Sequence, residues 1–534
     1  MATGLTGGEM VVNTLAAEGV DLIFGIPGVH TLALYDALRT SPIRHVLARH
    51  EQGAGFMADG YARATGRPGV AFVISGPGVT NIATALGQAY TDGSSVLVVS
   101  SNVARPYTGG AHGCLHDLKD QLGVTAAVTD WNARVERVAD TPAIVREALR
   151  RLRTGRGLPV HIELPTDVLE ATDEPADAAI LAPERRQLDA GAIQRAAEML
   201  AAAKRPAIFC GGGAARAGAG AAILAIAERL NAPVLTSALG KGTVPDDHPL
   251  SLGALWQPGN AVDDLAREAD CLLVVGSRLG FDTTAGFRFP FPPHVIRIDI
   301  DEAELARHCP ERLAIAADAQ TGAQALLTML EATASTPAGF DRALVQNARR
   351  AAEAAAWHAE RRPWVDALRR AIPRDGIVVF DMTQMASVSC ALYPAYAPGT
   401  FLFPFGFGTL GFSLPAAIGA KLGRPELPVV SVVGDGGFQF SMAEFATAVQ
   451  YGVSLPIVLF NDSTFSAVKE AQKDFQGGRY SEVDLINPDF RALARAYGAH
   501  AELAETPDAL TAAIQTALDR PGPTLIEVPT SQWV

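Results

Sequence analysis

Short apolar runs alternate with segments of helical periodicity in the first part of the chain. The apolar runs at residues 22–25, 69–74 and 96–101 have the length and composition of buried strands. Residues 6–18 and 51–65 carry the pattern of amphipathic helices. Buried strands that alternate with helices predict a parallel sheet with helices on both of its faces.

The same alternation recurs twice further along the chain. In the second block, the predicted strands are residues 206–210, 233–236, 271–275 and 295–300. In the third block, they include residues 377–380, 429–433, 457–460 and 524–528. Each block therefore predicts another α/β domain with a parallel sheet.

Two segments between the blocks have a different character. Residues 171–187 are rich in Pro, Asp, Glu and Ala and are predicted to be a linker. The Ala-rich residues 331–360 are predicted to be a largely helical connector. We therefore expect an α/β protein with three doubly wound parallel-sheet domains, at residues 1–170, 188–331 and 361–534.

Composition agrees with this division and argues against several classes of function. A chain of 534 residues is too long for one core, and domains of roughly 100–200 residues predict about three. The net charge of −13, without a basic stripe, argues against a nucleic-acid partner. No apolar run reaches about 18 residues, which argues against a membrane partner.

The cysteines and the first residues bear on location. The 5 cysteines are odd in number and no two are spaced as metal ligands, so that reduced thiols are the simplest interpretation. The first residues have neither a basic start nor an apolar core, and they are not predicted to be a signal peptide. A cytoplasmic location is therefore expected. The cysteines are Cys114, Cys210, Cys271, Cys309 and Cys390.

Oxygen-bearing side chains follow two predicted strands of the third block. Gly434-Asp435-Gly436 comes directly after one strand, and Asn461-Asp462 comes after the next apolar run. Glycines let a backbone approach phosphate oxygens, and carboxylates are ligands for divalent cations. Gly-Asp-Gly alone also makes ordinary turns. The recurrence one β-α-β unit later predicts a site for a diphosphate bridged to a cation.

Several motifs together resemble one family of enzymes. They are the sequences at residues 24–28, 49–53, 75–78 and 408–420, with Gly434-Asp435-Gly436 and Asn461-Asp462. These motifs span nearly the whole chain and resemble the thiamine-diphosphate enzymes of the acetolactate synthase, pyruvate oxidase and benzoylformate decarboxylase type. The resemblance implies that the three domains are a pyrimidine-binding, a central and a diphosphate- and metal-binding domain.

The resemblance also implies roles for individual residues. Glu51 would lie beside the pyrimidine ring of the cofactor, where a carboxylate favours the tautomer that acts as a base. An acidic residue in the first turn of a helix is also common for purely structural reasons. Asp435, Asp462 and the backbone carbonyl of Thr464 would bind Mg²⁺. Most of the family has Asn at the position of Asp462 and Gly at that of Ser466.

Further residues are implied in cofactor binding. Leu410 would wedge between the two rings of the cofactor, although its sequence context alone also fits a core residue. The remaining implied cofactor-binding residues are Thr383, Gln384, Gly408, Gly434, Gly436 and Gly437.

Three histidines of the first block are candidates for proton transfer to the reacting carbon. They are His30, His112 and His116, and each of them also fits a structural histidine. His116 lies in Gly-Cys-Leu-His-Asp, where synthases of the family usually carry a Gln-Glu pair. This segment instead resembles 5-guanidino-2-oxopentanoate decarboxylases and their relatives.

The resemblance favours an enzyme that decarboxylates a small 2-oxo acid to an aldehyde and carbon dioxide. Carbon–carbon bond formation, as in acetolactate synthase, and a non-catalytic cofactor-binding regulatory homologue remain alternatives. An NAD-dependent dehydrogenase built on Gly211-Gly212-Gly213 would leave the other two domains unexplained. The same glycines resemble the FAD-binding turn of the family's synthases and oxidases. Simple decarboxylases keep similar glycines without FAD, so that FAD is not expected.

The family resemblance also implies assembly. The first domain of one subunit faces the third domain of its neighbour, which predicts a homodimer or homotetramer with active sites at the subunit interface. The side chain of the substrate stays open at this stage.

Overall fold

The computed structural model describes residues 4–110, 112–176, 187–308, 312–334, 337–530 and 533. It contains three sheets of six strands each, and all strand pairs within these sheets are parallel. The prediction of an α/β protein with three parallel-sheet domains is therefore confirmed. A short antiparallel pair joins residues 5–6 to residues 172–173. Within the described residues, no helix is long and apolar enough to cross a membrane.

The N-terminal domain has the strand order β3-β2-β4-β5-β7-β6 in its main sheet. Its strands are β1 (Leu5–Thr6), β2 (Leu22–Gly25), β3 (Arg44–Leu47), β4 (Gly69–Val73), β5 (Val96–Asn102), β6 (Trp131–Arg134), β7 (Val160–Pro165) and β8 (Thr172–Asp173). Its helices are α1 (Gly7–Ala17), α2 (Leu32–Leu38), α3 (Glu51–Thr65), α4 (Pro77–Asp92), α5 (Gln121–Ala126), α6 (Thr141–Arg153) and α7 (Thr166–Glu170).

The central domain has the order β11-β10-β9-β12-β13-β14. Its strands are β9 (Pro206–Cys210), β10 (Val234–Thr236), β11 (Ser251–Gly253), β12 (Cys271–Val275), β13 (His294–Asp299) and β14 (Leu313–Ala316). Its helices are α8 (Ala190–Ala202), α9 (Gly212–Arg216), α10 (Gly220–Leu230), α11 (Ala261–Glu268), α12 (Glu302–Leu305) and α13 (Ala319–Glu331), and α14 (Arg342–Ala354) follows.

The C-terminal domain has the order β16-β15-β17-β18-β20-β19. Its strands are β15 (Ile377–Phe380), β16 (Phe401–Leu402), β17 (Val429–Gly434), β18 (Leu455–Asn461), β19 (His500–Leu503) and β20 (Pro523–Pro529). Its helices are α15 (Arg362–Ala371), α16 (Gln384–Leu392), α17 (Ser413–Gly423), α18 (Asp435–Ser441), α19 (Glu444–Gln450), α20 (Ser466–Gln476), α21 (Phe490–Ala496) and α22 (Pro507–Leu518).

The strand orders locate one switch point in each sheet. The chain proceeds in opposite directions from the β2/β4 pair, from the β9/β12 pair and from the β15/β17 pair. Ligands of doubly wound sheets bind outside the carboxyl ends of the strands at such points. The sequence motifs after β2, β4, β15 and β17 therefore lie where the topology favours a binding site.

Helices α3 and α17 join the N-terminal and C-terminal domains of the same chain at very short range. A Cβ atom at Gly60 would lie 2.0 Å from the carbonyl oxygen of Ala416, and one at Gly419 would lie 1.9 Å from that of Met57. One hydrophobic core includes Phe56 from the first domain and other residues from the third. The two glycines thus let the helix backbones touch, which fixes the orientation of α3.

The segments between the domains differ in part from the prediction. The predicted helical connector at residues 331–360 is helical mainly in α14, which begins after Asp341 caps it. Pro337 has no backbone N–H, and Gly339 adopts a φ of 66°, so that neither favours a continuous helix. Most of the predicted linker, residues 177–186, lies outside the described residues, as does Cys309.

Candidate functional site

Glu51 is the first residue of α3 and lies at the carboxyl edge of the N-terminal sheet. His50 precedes it as the helix cap, and its Nδ1 accepts a hydrogen bond from the Gln52 backbone N–H at 3.1 Å. The half-buried Glu51 carboxylate accepts a hydrogen bond from Asn81 Nδ2 at 2.9 Å. Asn81 belongs to the second turn of α4, so that two neighbouring helices hold the carboxylate in place.

Glu444 of the C-terminal domain supports the segment that leads to Glu51. Its buried carboxylate accepts hydrogen bonds from the backbone N–H groups of Arg49 at 3.0 Å and His50 at 2.9 Å. A Cβ atom at Gly53 would lie 2.2 Å from Glu444 Oε1, so that only glycine fits beside the carboxylate. Burial raises the pKa of Glu444. Sequence reasoning missed Glu444, because it lies outside all the motifs.

His30 and His116 come together at the switch point of the N-terminal sheet. Their rings lie 5.4 Å apart, centroid to centroid, in an edge-to-face arrangement. His30 Nδ1 lies 2.8 Å from the Ser75 hydroxyl oxygen. Burial and the neighbouring His116 lower the pKa of His30. His112 does not join this pair, since it is exposed and its ring lies 5.7 Å from that of Tyr107.

Asp435 and Asp462 lie close enough to influence each other at the carboxyl ends of β17 and β18. Burial raises the pKa of both carboxyl groups, and the charge of Asp462 further raises that of Asp435. Asn487 Nδ2 donates to Asp435 Oδ2 at 2.5 Å. Asp462 accepts hydrogen bonds from the Thr464 backbone N–H at 3.3 Å and from the Ser466 hydroxyl. Two adjacent carboxylates, one buried and one half-buried, favour a bound cation between them.

Asn487 binds Asp435 and the residue that precedes Asp462, and it was not found from the sequence. Its Nδ2 also donates to Asn461 Oδ1 at 3.0 Å, and its Oδ1 accepts from Gln439 Nε2 at 3.0 Å. Asn487 thereby ties the ends of β17 and β18 together through one side chain. It lies in a loop between α20 and α21 without a motif, so that no local signal marked it.

The glycines after β17 leave no room for side chains. A Cβ atom at Gly436 would lie 2.6 Å from the Phe465 ring, and one at Gly437 would lie 2.7 Å from Asp381 Oδ2. Thr383 caps α16 through its hydroxyl, which accepts from the Ala386 backbone N–H at 3.1 Å. The start of α18 and the start of α16 thus face the switch point, as a diphosphate-binding backbone requires.

Asp381 connects this region to the turn at Gly408–Leu410. Its buried carboxylate accepts hydrogen bonds from the backbone N–H groups of Gly411 at 3.0 Å and Phe412 at 3.3 Å. Burial raises the pKa of Asp381 to about 6. Gly408 has a φ of 68°, and Leu410 Cδ2 would lie 3.7 Å from a Cβ at Gly437. Leu410 therefore lies directly beside the glycine-rich turn.

The donor set fits Mg²⁺ bound together with a diphosphate. Among the described residues, no three or more His, Cys, Asp or Glu side chains form a group that could hold a metal ion. Mg²⁺ commonly uses one or two carboxylates, with phosphate and water oxygens completing its shell. Asp435 and Asp462 supply such a pair. The side chain of Gln384, in contrast, is engaged by Glu470 at 2.9 Å and by Arg361.

Glu51 of the N-terminal domain and the Gly408–Leu410 turn of the C-terminal domain contact α4 at different points along its length. Glu51 contacts Asn81 near the start of that helix, whereas the Thr409 backbone N–H lies 3.4 Å from Gln88 Oε1 near its end. Seven residues of α-helix correspond to about 10 Å along the axis. Glu51 is therefore separated from the Gly408–Leu410 turn of its own chain.

A cavity of about 590 Å³ lies between the N-terminal and central domains. It contains the glycines at the end of β9 and the side chains of Arg156, Arg216 and Arg278. Burial lowers the pKa of Arg216 to about 10. The turn at Gly211-Gly212-Gly213, which resembles the FAD-binding turn of the family, lines this cavity. Its volume is within the range of small-ligand pockets, and the prediction that FAD is not bound remains untested.

Comparison with known proteins assigns this three-sheet architecture to a class. Family models of thiamine pyrophosphate enzymes match residues 5–124 as the N-terminal TPP-binding domain, residues 193–326 as the central domain and residues 381–528 as the C-terminal TPP-binding domain. The chain belongs to the thiamine pyrophosphate enzyme family.

The similar proteins within the family are named either as a decarboxylase or as acetolactate synthases. A probable 2-ketoarginine decarboxylase of Pseudomonas aeruginosa is 42% identical over 98% of this chain and 94% of that protein. A probable acetolactate synthase large subunit of Methanocaldococcus jannaschii is 33% identical over 98% of this chain and 92% of that protein. The acetolactate synthase isozyme 3 large subunit of Escherichia coli is 34% identical over 92% of this chain and 89% of that protein.

Proposed function

We propose that this protein decarboxylates a 2-oxo acid to an aldehyde and carbon dioxide, with thiamine diphosphate and Mg²⁺ as cofactors. The cofactor supplies an electron sink for the carbon–carbon bond that breaks. Glu51 would hydrogen-bond the pyrimidine ring nitrogen of the cofactor, and the backbones at Gly436 and Gly437 would approach its diphosphate. Asp435, Asp462 and the Thr464 carbonyl would hold Mg²⁺.

The observation that carries this proposal is the His30–His116 pair at the switch point of the N-terminal sheet. Decarboxylation to an aldehyde requires a proton at the reacting carbon after carbon dioxide leaves. Two imidazoles 5.4 Å apart disfavour double protonation, and the lowered pKa of His30 keeps a neutral ring available near pH 7. The pair thus places the neutral His30 ring beside a second imidazole, at a distance that suits proton transfer to a bound substrate.

The substrate that we propose to test first is 2-ketoarginine. The 42% identity to the Pseudomonas aeruginosa protein exceeds the 33% and 34% identities to the acetolactate synthases quoted above, which supports decarboxylation. The alternative function is formation of a carbon–carbon bond with a second 2-oxo acid. The similarity to those synthases is the observation that supports this alternative.

The proposal also includes assembly and location. The separation of Glu51 from the Gly408–Leu410 turn of its own chain supports active sites shared between subunits, in a homodimer or homotetramer. Among the described residues, Cys114, Cys210, Cys271 and Cys390 are free thiols, which supports a cytoplasmic location.

The test is a substrate screen of the purified protein with thiamine diphosphate and Mg²⁺. The screen offers 2-ketoarginine, its uncharged analogue 2-oxohexanoate, pyruvate and benzoylformate, and it measures carbon dioxide, aldehyde and acetolactate separately. We expect carbon dioxide and aldehyde in equal amounts. Carbon dioxide with acetolactate and without aldehyde would instead support the synthase alternative. Parallel reactions with added FAD and an absorption spectrum of the protein test for flavin.

A further inference from the structure

A buried chain of polar groups runs beneath the His30–His116 pair. Its centre is Gln121, the first residue of α5, which is 2% exposed. Gln121 Oε1 accepts a hydrogen bond from the Gly76 backbone N–H at 3.0 Å. Gln121 Nε2 donates to Glu163 Oε2 at 2.8 Å and to the Ser101 carbonyl oxygen at 2.8 Å. The amide thus joins three elements of the domain.

The Glu163 carboxylate fixes the orientation of this amide. Glu163 lies on β7 with a fully buried side chain, and its Oε1 accepts from Arg134 Nε on the neighbouring strand β6 at 2.5 Å. The Arg134 guanidinium thereby gives the buried carboxylate a charge-assisted hydrogen bond. Glu163 and the Ser101 carbonyl both require a donor, while Gly76 requires an acceptor. The Gln121 amide can therefore satisfy all three groups in only one of its two orientations.

Gln121 holds the Ser75–Gly76 turn, which contacts both His30 and His116. Ser75 is fully buried, its backbone N–H donates to the Ser101 hydroxyl at 3.0 Å, and its own hydroxyl meets His30 Nδ1 at 2.8 Å. Gly76 has a φ of 63°, and a Cβ there would lie 2.6 Å from the His116 carbonyl oxygen. A displacement of this turn would move both imidazoles.

We propose that Glu163 and Gln121 are positioning residues, which hold the Ser75–Gly76 turn and thereby orient His30 and His116 towards the substrate. This inference rests on the proposed function, because it assigns the two histidines to the reaction. Both side chains are buried, Glu163 fully and Gln121 to all but 2% of its surface. The charged or titratable groups that act on His30 are His116 and Glu170.

A swap of the two side chains provides the sharpest test. Gln121→Glu places two carboxylates against each other in a buried space. Glu163→Gln leaves one acceptor oxygen, whereas Gln121 and Arg134 each bind a separate oxygen of Glu163. The double variant Q121E/E163Q restores an acceptor for Gly76, a donor–acceptor pair between the two side chains and an acceptor for Arg134. It loses the donor to the Ser101 carbonyl and to the Ser100 hydroxyl, and Arg134 then binds a neutral amide oxygen.

Two readouts separate positioning from general stability. In the holoenzyme, each single variant should lower kcat for decarboxylation by about 10- to 100-fold, with KM changed by less than about threefold. In the protein without substrate, diethyl pyrocarbonate modification of His30 is followed by mass spectrometry between pH 5 and 8. Each single variant should move the pH of half-maximal reaction by about half a unit or more. The double variant should recover most of both properties.

Thr125→Val is the matched control. Thr125 lies one turn further along α5 and is equally buried, and its hydroxyl meets His161 Nδ1 at 2.8 Å. We expect this variant to lower the melting temperature while both readouts stay at parent values. If a single variant does not fold, Ser75→Ala removes only the last link to His30 and should move the His30 modification profile in the same way.

The inference is overturned if the folded single variants, or Ser75→Ala, match the parent in the modification profile, or if the double variant is no better than the singles. Absence of decarboxylation by the parent would defeat the proposed function instead. The modification profile would still test the link from Glu163 to His30 in that case, because it requires no turnover.

Discussion

The Glu51 carboxylate stands at the start of α3 with one oxygen bound by Asn81. Glu51→Gln should leave the fold and cofactor binding nearly unchanged while proton exchange at the thiazolium carbon of the bound cofactor falls by about 10²–10⁴-fold, since a general acid–base contact is lost. Deuterium exchange and turnover are measured together. Glu9→Gln, at the start of α1, controls for loss of an acid in a first helical turn and should affect stability alone. Unchanged exchange in Glu51→Gln would refute its assignment.

Asp435 is the residue on which metal-dependent cofactor retention should depend most. Asp435→Ala removes one of two adjacent carboxylates, and because the diphosphate is held largely through the cation, thiamine diphosphate should no longer bind in a Mg²⁺-dependent way. Isothermal titration with and without Mg²⁺ measures this. Asp474→Ala, an exposed carboxylate on α20, is the control and should bind as the parent does. Parent-like affinity in Asp435→Ala would disprove the metal site.

His161 gives the N-terminal domain a defined sensitivity to acid. The ring is fully buried between the Ser100 and Thr125 hydroxyls, each 2.8 Å away, and burial lowers its pKa to about 3 from an ordinary value of 6.5. As the pH falls, His161 is therefore protonated in the unfolded chain at a higher pH than in the folded protein. The stability that neutral His161 contributes above pH 6.5 is lost as the pH falls towards 3.

His161→Gln keeps a donor and an acceptor but does not titrate. Between pH 7 and pH 5, the parent should lose about 2 kcal/mol of stability through His161 that the variant retains. The fall in melting temperature between these pH values should accordingly be smaller in the variant. An equal fall in both proteins would show that His161 does not contribute in this range.

At the scale of elements, the crossing of α3 and α17 is the contact that most directly sets the direction of Glu51. Gly419→Ala inserts a methyl group where only 1.9 Å separates the Cβ position from the Met57 carbonyl oxygen. We expect a loss of about 1–3 kcal/mol of stability, because a packed backbone contact has to open.

Gly191→Ala in α8 is the matched control for this crossing. A Cβ atom there lies 3.2 Å from Asp189 Oδ1, at an exposed site, and alanine favours helix. Thermal unfolding of both variants compares the effects, with an expected decrease for Gly419→Ala and none for Gly191→Ala. A parent-like melting temperature in Gly419→Ala would mean that the helices separate at little cost.

At the scale of the whole molecule, Glu51 and the Gly408–Leu410 turn contact residues of α4 that lie seven positions apart within one chain. If each site combines the first domain of one subunit with the third domain of another, inactive Glu51→Gln and Asp435→Ala chains should complement each other. Mixed assemblies would then contain sites made from the two unmutated halves, and activity should partly return after subunit exchange.

The control for complementation is a mixture of Asp435→Ala with Asp462→Ala. Both changes fall in the C-terminal domain, so that every mixed site keeps one lesion in that domain, and no activity should return. Absence of recovery in the Glu51→Gln and Asp435→Ala mixture, with exchange demonstrated by mass spectrometry, would place each complete site within one chain.

The sequence by itself determined the class of fold and much of the candidate site. Helix α3 was predicted at residues 51–65, as observed, and the β9 and β12 strands agree with their predicted bounds. Continuous apolar runs are diagnostic because central parallel strands are buried on both faces. Strand β6, with the sequence Trp-Asn-Ala-Arg, was missed because it is a partly exposed edge strand without such a run. Asp435, Asp462 and the glycines follow directly from local motifs.

Only the tertiary structure decided which side chains support those residues. Glu444 reaches the Arg49–His50 backbone from a position about 400 residues away in sequence, and Asn487 reaches Asp435 from an unmarked loop. The pairing of His30 with His116 and the exclusion of His112 likewise depend on how loops meet at a sheet edge. Local patterns encode periodicity and turn chemistry, whereas these contacts arise from packing between distant segments, which leaves no periodic trace in the chain.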